Sequence, residues 1–163
     1  MLNIANTAIK KMNLRMLMMY AAVLRIERDR IEYSSAGMPP LLIYRNESRE
    51  VEQFVLKAMP LGAFEKFPYA KIESPVSSGD IIIMASDGLT GLFNENKEML
   101  GTDRIIETLK LNSAHTADEI IGNIFKMCYS WSGNNPLNDD ITIVVIKIRC
   151  TNLHAARFRY LTF

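Results

Sequence analysis

GDIIIMASDGLT, residues 79–90, is the stretch that decides the fold of this 163-residue chain. Its apolar run from Ile81 to Ala85 is typical of a strand that is buried on both faces. Asp87 follows this run after a single residue, Ser86. A strand that is apolar throughout and then ends in an acid presents that acid at the rim of a sheet.

A second acid lies in a matching context near the end of the chain. Residues 138–146 read NDDITIVVI, so Asp139 and Asp140 come just before another solid apolar run, Ile141 to Ile148. If the two strand ends meet, their carboxylates form a metal site of hard oxygen ligands.

Length and charge exclude several classes of function. The 163 residues fit one domain with a real core. The balance of 19 basic and 18 acidic side chains predicts no strong attraction to nucleic acid or to an anionic membrane.

The cysteines and the apolar segment near the start indicate the cellular compartment of the protein. Cys128 and Cys150 lack CxxC or Cys/His spacing, so they indicate neither a zinc site nor a disulfide framework, and free thiols suit a reducing cytoplasm. The apolar segment from Met16 to Leu24 follows basic residues as a signal peptide would. It is too short to span a bilayer and is followed by charged residues, so a cytoplasmic location is predicted.

The first half of the chain is predicted to be rich in strands. Residues 2–12 have apolar side chains near helical spacing, and the polar turn at Arg28–Arg30 favours a β-hairpin. Further strands are predicted at Leu41–Arg45, Val51–Leu56, Tyr69–Val76 and Asp80–Ser86, the last two joined across residues 77–79. Met16, Met18, Met19 and Met84 are interpreted as fillers of gaps in the core.

Two helices and a returning strand are predicted after Asp87. Thr102 is expected to cap the first helix, and Thr116 with Glu119 forms a capping box for a second helix that runs to Trp131. A last strand follows Asp140, and the tail, residues 151–163, is left unassigned. The order predicts an α+β fold with helices laid on sheets.

Four blocks of sequence together resemble one family. They are SAGMPP at 35–40, MPLG at 59–62, GDIIIMASDGLT at 79–90 and NDDIT at 138–142. In this order they resemble the metal-dependent protein serine/threonine phosphatases of the protein phosphatase 2C-like (PPM) superfamily, and within it the bacterial SpoIIE and Rsb-type phosphatases. The likeness covers roughly residues 2–149, and residues 1–150 are taken as the domain.

The resemblance implies a fold, a cofactor and a function. The fold is an α-β-β-α sandwich of two antiparallel sheets flanked by helices, with Mn²⁺ or Mg²⁺ at the sheet rim. Asp87 and Asp139 match family metal ligands, Asp140 matches the position beside the second ligand, and Gly88 matches the glycine of the tight turn. The implied activity is hydrolysis of phosphoserine or phosphothreonine on a regulatory protein, of the anti-sigma-factor antagonist type, in bacterial signalling.

The chain also departs from the family pattern. The Gly-Asp motif that supplies the bridging carboxylate has no counterpart upstream, so the domain is expected to be truncated at its N-terminus. Met38 replaces the usual histidine of the subgroup, and Gly91 replaces a frequent acid. Two carboxylates with waters would hold at most one ion weakly, and no catalytic residue is assigned.

Other interpretations remain open. Asp87-Gly88 could be a simple turn, and Asp139 with Asp140 could merely end a strand and discourage edge pairing. The chain could then be an inactive binding or dimerisation module, or a fragment of a longer sensor phosphatase. Ser34, Ser35 and Ser86 lie in no motif of a serine hydrolase.

Overall fold

The computed structural model describes residues 1–12, 18–133, 135 and 139–149 in full, and residues 157–162 for the backbone alone. The elements, in chain order, are α1 (Leu2–Lys11), β1 (Ala21–Glu27), β2 (Arg30–Ala36), β3 (Leu41–Tyr44), β4 (Val51–Phe54), β5 (Lys71–Pro75), β6 (Ile81–Ala85), α2 (Asp87–Thr90), α3 (Gly101–Leu111), α4 (Ala117–Ser132), β7 (Thr142–Lys147) and β8 (Arg157–Thr162). The predicted α+β class with two antiparallel sheets and helices is confirmed.

The chain divides into two compact units. The first comprises residues 1–38 and 55–76, and the second comprises residues 39–54 and 77–163. The first contains α1 and a sheet in the order β1-β2-β5. The second contains α2, α3, α4 and a sheet in the order β4-β3-β6-β7-β8.

In the first unit, the predicted helix and hairpin are both present. β1 and β2 pair antiparallel around a two-residue turn, in which Arg28 has a φ of 54°. The helix α1 buries Leu2 in a cluster with Ala36 and Leu61. The apolar spacing therefore predicts the helix but only part of its buried side: Ala5 and Ile9 pack against the cluster, whereas Ile4 and Met12 are 77% and 63% exposed.

A buried amide on α1 holds the loop that follows Pro60. Asn6 is 1% exposed, and its Oδ1 accepts the Gly62 N–H at 2.8 Å. Its Nδ2 donates to the Phe64 carbonyl at 2.9 Å. Because a buried polar group must be hydrogen-bonded to be tolerated, these bonds fix the loop against the helix.

In the second unit, β6 lies at the centre of its sheet, between β3 and β7. Ile81, Ile82 and Ile83 are each at most 1% exposed, which confirms the predicted buried run for these three residues, whereas Met84 and Ala85 are half-buried. The core on one side of this sheet is formed with the two long helices and includes Leu42, Ile105, Leu109, Ile120, Ile121, Ile124, Ile143 and Val145.

The two strands predicted on either side of residues 77–79 are present as β5 and β6, and they lie in different sheets, because β5 pairs with β2 whereas β6 pairs with β3 and β7. Two predictions about elements of the second unit need correction. Thr102 does not cap α3, which already begins at Gly101, a glycine with a φ of 72°. The unassigned tail contains β8, which pairs with β7, so β7 is not the last strand.

The prediction for the early methionines is wrong where it can be examined. Met18 and Met19 are 50% and 51% exposed, whereas Met84 is half-buried. Met16 lies outside the described residues. Met18 and Met19 lead into β1, an edge strand of its sheet, so one side of this segment has no strand to cover it among the described residues.

Cys128 is fully buried on the apolar side of α4. Burial raises the pKa of its thiol to about 11, so the thiol stays protonated and unreactive near neutral pH. Cys150 lies outside the described residues. No helix in the described part of the chain is long and apolar enough to cross a membrane.

Replacing Thr116 by alanine should destabilise the second unit, because the predicted capping box is present. The Thr116 side chain accepts the Glu119 N–H, and the Glu119 carboxylate accepts the Thr116 N–H at 2.8 Å. Losing such a cap costs about 1 kcal/mol, and the cost would appear as a lower urea midpoint. Thr108→Ala is the matched control: its hydroxyl only bonds back to Arg104 within α3, so little change is expected.

Candidate functional site

The first acid block lies at the end of the central strand of the second unit. β6 ends at Ala85, and Asp87 begins the single helical turn α2. The Asp87 carbonyl accepts the Gly91 N–H at 2.8 Å and the Thr90 hydroxyl at 3.3 Å. The turn is therefore fixed by its own hydrogen bonds, while the Asp87 side chain is exposed at the strand end.

Ser86 fastens this block to the second acid block. Its N–H donates to the Thr142 carbonyl at 2.9 Å, as in a sheet ladder. Its hydroxyl donates to the Asp140 carbonyl at 3.1 Å and accepts the Thr142 N–H at 2.9 Å. One side chain thus bonds the backbone on both sides of the β7 start, and the two segments cannot separate without breaking these bonds.

Gly88 brings the two acid blocks into van der Waals contact. A methyl group on its Cα would lie 2.4 Å from the Asp140 carbonyl oxygen and 3.4 Å from the Asp139 Cβ. Approach this close is possible only without a side chain. The glycine that the sequence indicated as a turn residue therefore also allows the two strand ends to approach.

Asp139 and Asp140 are both exposed, and the backbone between them orients the first. The Asp140 N–H donates to the Asp139 Oδ1 at 2.8 Å, which restrains that carboxylate. Asp140 itself contributes its carbonyl oxygen to Ser86. The four predicted site residues, Asp87, Gly88, Asp139 and Asp140, therefore gather at one end of β6 and β7; Asn138 lies outside the described residues.

The donor set limits what this site can hold. Among the described residues, no group of three or more His, Cys, Asp or Glu side chains is arranged to bind a metal ion. Asp87, Asp139 and Asp140 are the exposed carboxylates at this end of β6 and β7, and carboxylate oxygens suit a hard cation that keeps most of its water, as Mg²⁺ commonly does.

Ser86 is the residue of the site that sequence reasoning missed. The sequence analysis considered it only as a nucleophile, whereas the structure uses it to join two segments 54 residues apart. The available signal was its place directly before a helical turn, where a hydroxyl can bond nearby backbone groups.

The fold and the meeting of two acid-bearing strand ends define the class of protein. The sequence model of the family described as Stage II sporulation protein E (SpoIIE) matches residues 1–149. The chain therefore belongs to the SpoIIE family.

Individual relatives agree with this assignment. The phosphoserine phosphatase RsbU of Bacillus subtilis (strain 168) is 24% identical over 129 residues, which are 79% of this chain and 38% of that protein. The SiaA-PP2C domain of Pseudomonas aeruginosa superposes with a TM-score of 0.79 at 21% identity, covering 90% of this chain and 59% of that one. The phosphatase domain of Bacillus subtilis SpoIIE, in a structure described as Mn presoaked, gives 0.65 at 19% identity, covering 82% and 58%.

These similarities extend over only part of each relative. The chain spans 38% of the length of RsbU and 59% of the SiaA domain chain. At such identities the solved structures establish the fold, which is PP2C-like with partial coverage of the full domains.

Proposed function

We propose that the chain is part of a metal-dependent protein phosphatase domain that hydrolyses phosphoserine or phosphothreonine on a regulatory protein. The observation that carries the proposal is the contact of Gly88 with Asp139 and Asp140. Gly88 directly follows Asp87, so this contact supports a site in which carboxylates remote in sequence lie at neighbouring strand ends. Membership of the SpoIIE family supports the same activity.

In this proposal, Asp87 and Asp139 would hold Mn²⁺ or Mg²⁺. When bound, such an ion lowers the pKa of a coordinated water and stabilises charge on a phosphoryl oxygen. The chain's own residues hold the two acid-bearing segments together and orient one carboxylate. Ser86 and Gly88 keep the segments in contact, and the Asp140 N–H restrains the Asp139 carboxylate. Asp140 is a secondary candidate ligand.

The proposed partner is a phosphorylated protein of the anti-sigma-factor antagonist type, acting in the cytoplasm. The support is the likeness to RsbU, a protein named as a phosphoserine phosphatase. The near balance of 19 basic and 18 acidic side chains gives no reason to prefer a nucleic acid or a membrane surface.

A second candidate function is a non-catalytic binding or dimerisation module. It is favoured by the donor set, since no group of three or more His, Cys, Asp or Glu side chains among the described residues is arranged to bind a metal ion. Two-metal activation of water needs carboxylates that bridge and surround both ions.

Replacing Asp87 or Asp139 by asparagine should abolish both the metal response and any metal-dependent turnover. Ion binding to the folded chain raises its stability by RT ln(1 + [L]/Kd), about 1.4 kcal/mol when the ion is at ten times Kd. We expect Mn²⁺ to raise the melting temperature of the native protein but of neither variant. Hydrolysis of p-nitrophenyl phosphate and of a phosphoserine peptide would be measured in the same samples.

Asp29→Asn is the matched control, because Asp29 is an exposed aspartate in the turn of the β1–β2 hairpin. It should retain the full response to Mn²⁺. A metal-induced shift without turnover would favour the binding module. Equal shifts in the native protein, both site variants and the control would refute the metal site.

A further inference from the structure

The turn α2 is held on its N-terminal side by Ser86, and a second attachment lies on its C-terminal side. The two residues that follow the turn are Gly91 and Leu92, and Leu92 is 1% exposed. Its carbonyl oxygen accepts two hydrogen bonds, one from the Leu100 N–H at 2.8 Å and one from the indole N–H of Trp131 at 3.3 Å. Both donors lie outside the turn, so they fix Leu92 against other parts of the second unit.

The Leu92 carbonyl is close to Asp87 along the backbone. Gly91 donates its N–H to the Asp87 carbonyl at 2.8 Å, so the end of the turn is bonded to its beginning. Leu92 follows Gly91 directly, and one residue of chain spans at most about 3.6 Å. A shift of Leu92 is therefore transmitted to the Asp87 backbone through one residue and one hydrogen bond. Because the Asp87 side chain is exposed, its position depends on the backbone that carries it.

Trp131 is itself restrained, because α3 and the core both contact it. It lies in the last turn of α4 and packs against the core cluster of the second unit. The Arg104 guanidinium, from α3, lies over the indole ring at 4.0 Å from its centroid, a distance typical of a cation–π contact. The indole therefore has a defined orientation, which a donor needs in order to fix a backbone group 39 residues away.

A second contact joins the same two regions. Gly133 ends α4 with a φ of 59°. A methyl group on its Cα would lie 2.9 Å from Glu95 Oε1 and 3.1 Å from Glu95 Cδ. Glu95 belongs to the loop between Leu92 and Leu100, which the Leu100 N–H closes at its base. The segment that follows the turn α2 thus meets the end of α4 at two places.

A tryptophan near a core usually finds an acceptor for its N–H, so this bond alone could simply satisfy the donor. Its acceptor, however, is the carbonyl that follows the turn bearing Asp87. We propose that Trp131 is a positioning residue for the site formed by Asp87 and Asp139, and that it fixes the C-terminal end of α2 as Ser86 fixes the N-terminal end. The proposal rests on the proposed metal site, but the attachment itself can be tested without metal.

Removing only the indole N–H tests the attachment. Trp131→Phe keeps an aromatic ring near Arg104 and loses the donor. Amide hydrogen exchange, measured by NMR without metal, reports how often individual backbone groups open. We expect exchange at the Gly91 and Leu100 amides to rise about three- to tenfold relative to amides in the middle of α4, which is the effect of losing one hydrogen bond.

A second variant keeps the volume of the indole. Trp131 is the single tryptophan of the chain, so a tryptophan analogue in which sulfur replaces the N–H can be incorporated at this position alone. Tyr129→Phe is the matched control, because it also removes a polar hydrogen from an aromatic ring of α4, but the Tyr129 side chain is 58% exposed. Its exchange rates should equal those of the native protein.

Metal affinity separates positioning from a purely structural role. Mn²⁺ binding would be measured by isothermal titration calorimetry at a temperature where every variant is folded. We expect the dissociation constant for Mn²⁺ to rise about threefold or more in both Trp131 variants and to stay unchanged in Tyr129→Phe. A structural role alone would lower the melting temperature without changing this affinity.

Each outcome decides the proposal. Faster exchange at Gly91 and Leu100 together with weaker Mn²⁺ binding in both Trp131 variants supports it. Unchanged exchange at these amides overturns it, and so does faster exchange with native Mn²⁺ affinity, which leaves the indole a structural role only. If the native protein binds no Mn²⁺, the proposed function fails, and the exchange rates alone decide whether Trp131 holds the turn.

Discussion

Replacing Gly88 by alanine is expected to separate the two acid blocks and to abolish any response to Mn²⁺. The new methyl group would lie 2.4 Å from the Asp140 carbonyl oxygen and 3.1 Å from its carbonyl carbon. These are backbone atoms, so no side-chain rotation can relieve the overlap. Either the turn α2 or the start of β7 must move, and the hydrogen bonds of Ser86 to Asp140 and Thr142 would be weakened.

The stability cost should be large for the addition of one methyl group. Overpacking of a well-packed site costs about 1–3 kcal/mol, and Gly88 is buried. Urea unfolding followed by circular dichroism measures this cost, and thermal melting with and without Mn²⁺ measures the loss of the metal response.

Gly122→Ala separates the steric effect from the general effect of a Gly-to-Ala change. Gly122 is exposed on α4, and a methyl group there meets no atom within 4 Å. Alanine is favoured over glycine in a helix by about 1 kcal/mol, so this variant should be as stable as the native protein or more stable. If Gly88→Ala is equally well tolerated and keeps its metal response, the close approach is not required for the site.

The sequence could indicate the two segments, residues 86–88 and 139–142, that come into contact, but not how they are held together. Asp87 and Asp139 each follow or precede an apolar run, and a run of buried β-branched residues is a strong local signal. The Ser86 hydroxyl bonds residues 140 and 142, and such a long-range contact has no local signal beyond a serine before a turn.

Strand pairing could be predicted only where the turn is short. The two-residue turn at Arg28 and Asp29 fixes the register of β1 and β2 locally. By contrast, β5 and β6 follow one another in sequence yet enter different sheets. After β5, Val76 donates its N–H to the Asp29 carbonyl, whereas before β6 Asp80 binds residues near the end of β3. Contacts between residues remote in sequence therefore determine which sheet each strand joins.

Exposure depends on which strand becomes an edge. Met18 and Met19 are apolar, as core residues are, and were predicted to be buried. The prediction is wrong because β1, which they precede, has a single neighbour among the described strands. No element was predicted in the tail for a related reason. Its alternating arginines and aromatics match no period of a buried strand, whereas β8 is an edge strand of its sheet.

Removing the Asp80 carboxylate is expected to cause the largest loss of stability among these variants. Asp80 is 3% exposed and begins the segment that leads through β6 to Asp87. Its Oδ2 accepts the Arg45 guanidinium at 3.1 Å and the Ser77 N–H at 3.1 Å, and its Oδ1 accepts the Asn46 N–H at 3.0 Å. One buried carboxylate thus joins the end of β3 to the start of β6.

Asp80→Ala should cost about 3–5 kcal/mol, because breaking a buried ion pair leaves the remaining charge without full compensation. The Arg45 side chain is 15% exposed, so water can replace the lost partner only in part. The N–H groups of Ser77 and Asn46 would also lose their acceptor, but both residues are exposed, so water can replace it and this loss adds little. We expect a lower urea midpoint with an unchanged slope, measured by circular dichroism.

Glu52→Gln is the control on the same arginine. The Arg45–Glu52 pair has a separation of 2.6 Å, but the Glu52 side chain is 49% exposed, and pairs of this kind contribute about 0–1 kcal/mol. Each variant removes one charge from the same three-residue network, but Asp80→Ala removes the buried charge together with the acceptor of two backbone N–H groups. A loss from Asp80→Ala no larger than that from Glu52→Gln would contradict the role assigned to the buried carboxylate. A large difference would mean that the strand leading to Asp87 is fixed mainly at its buried start, with the acid left exposed at its other end.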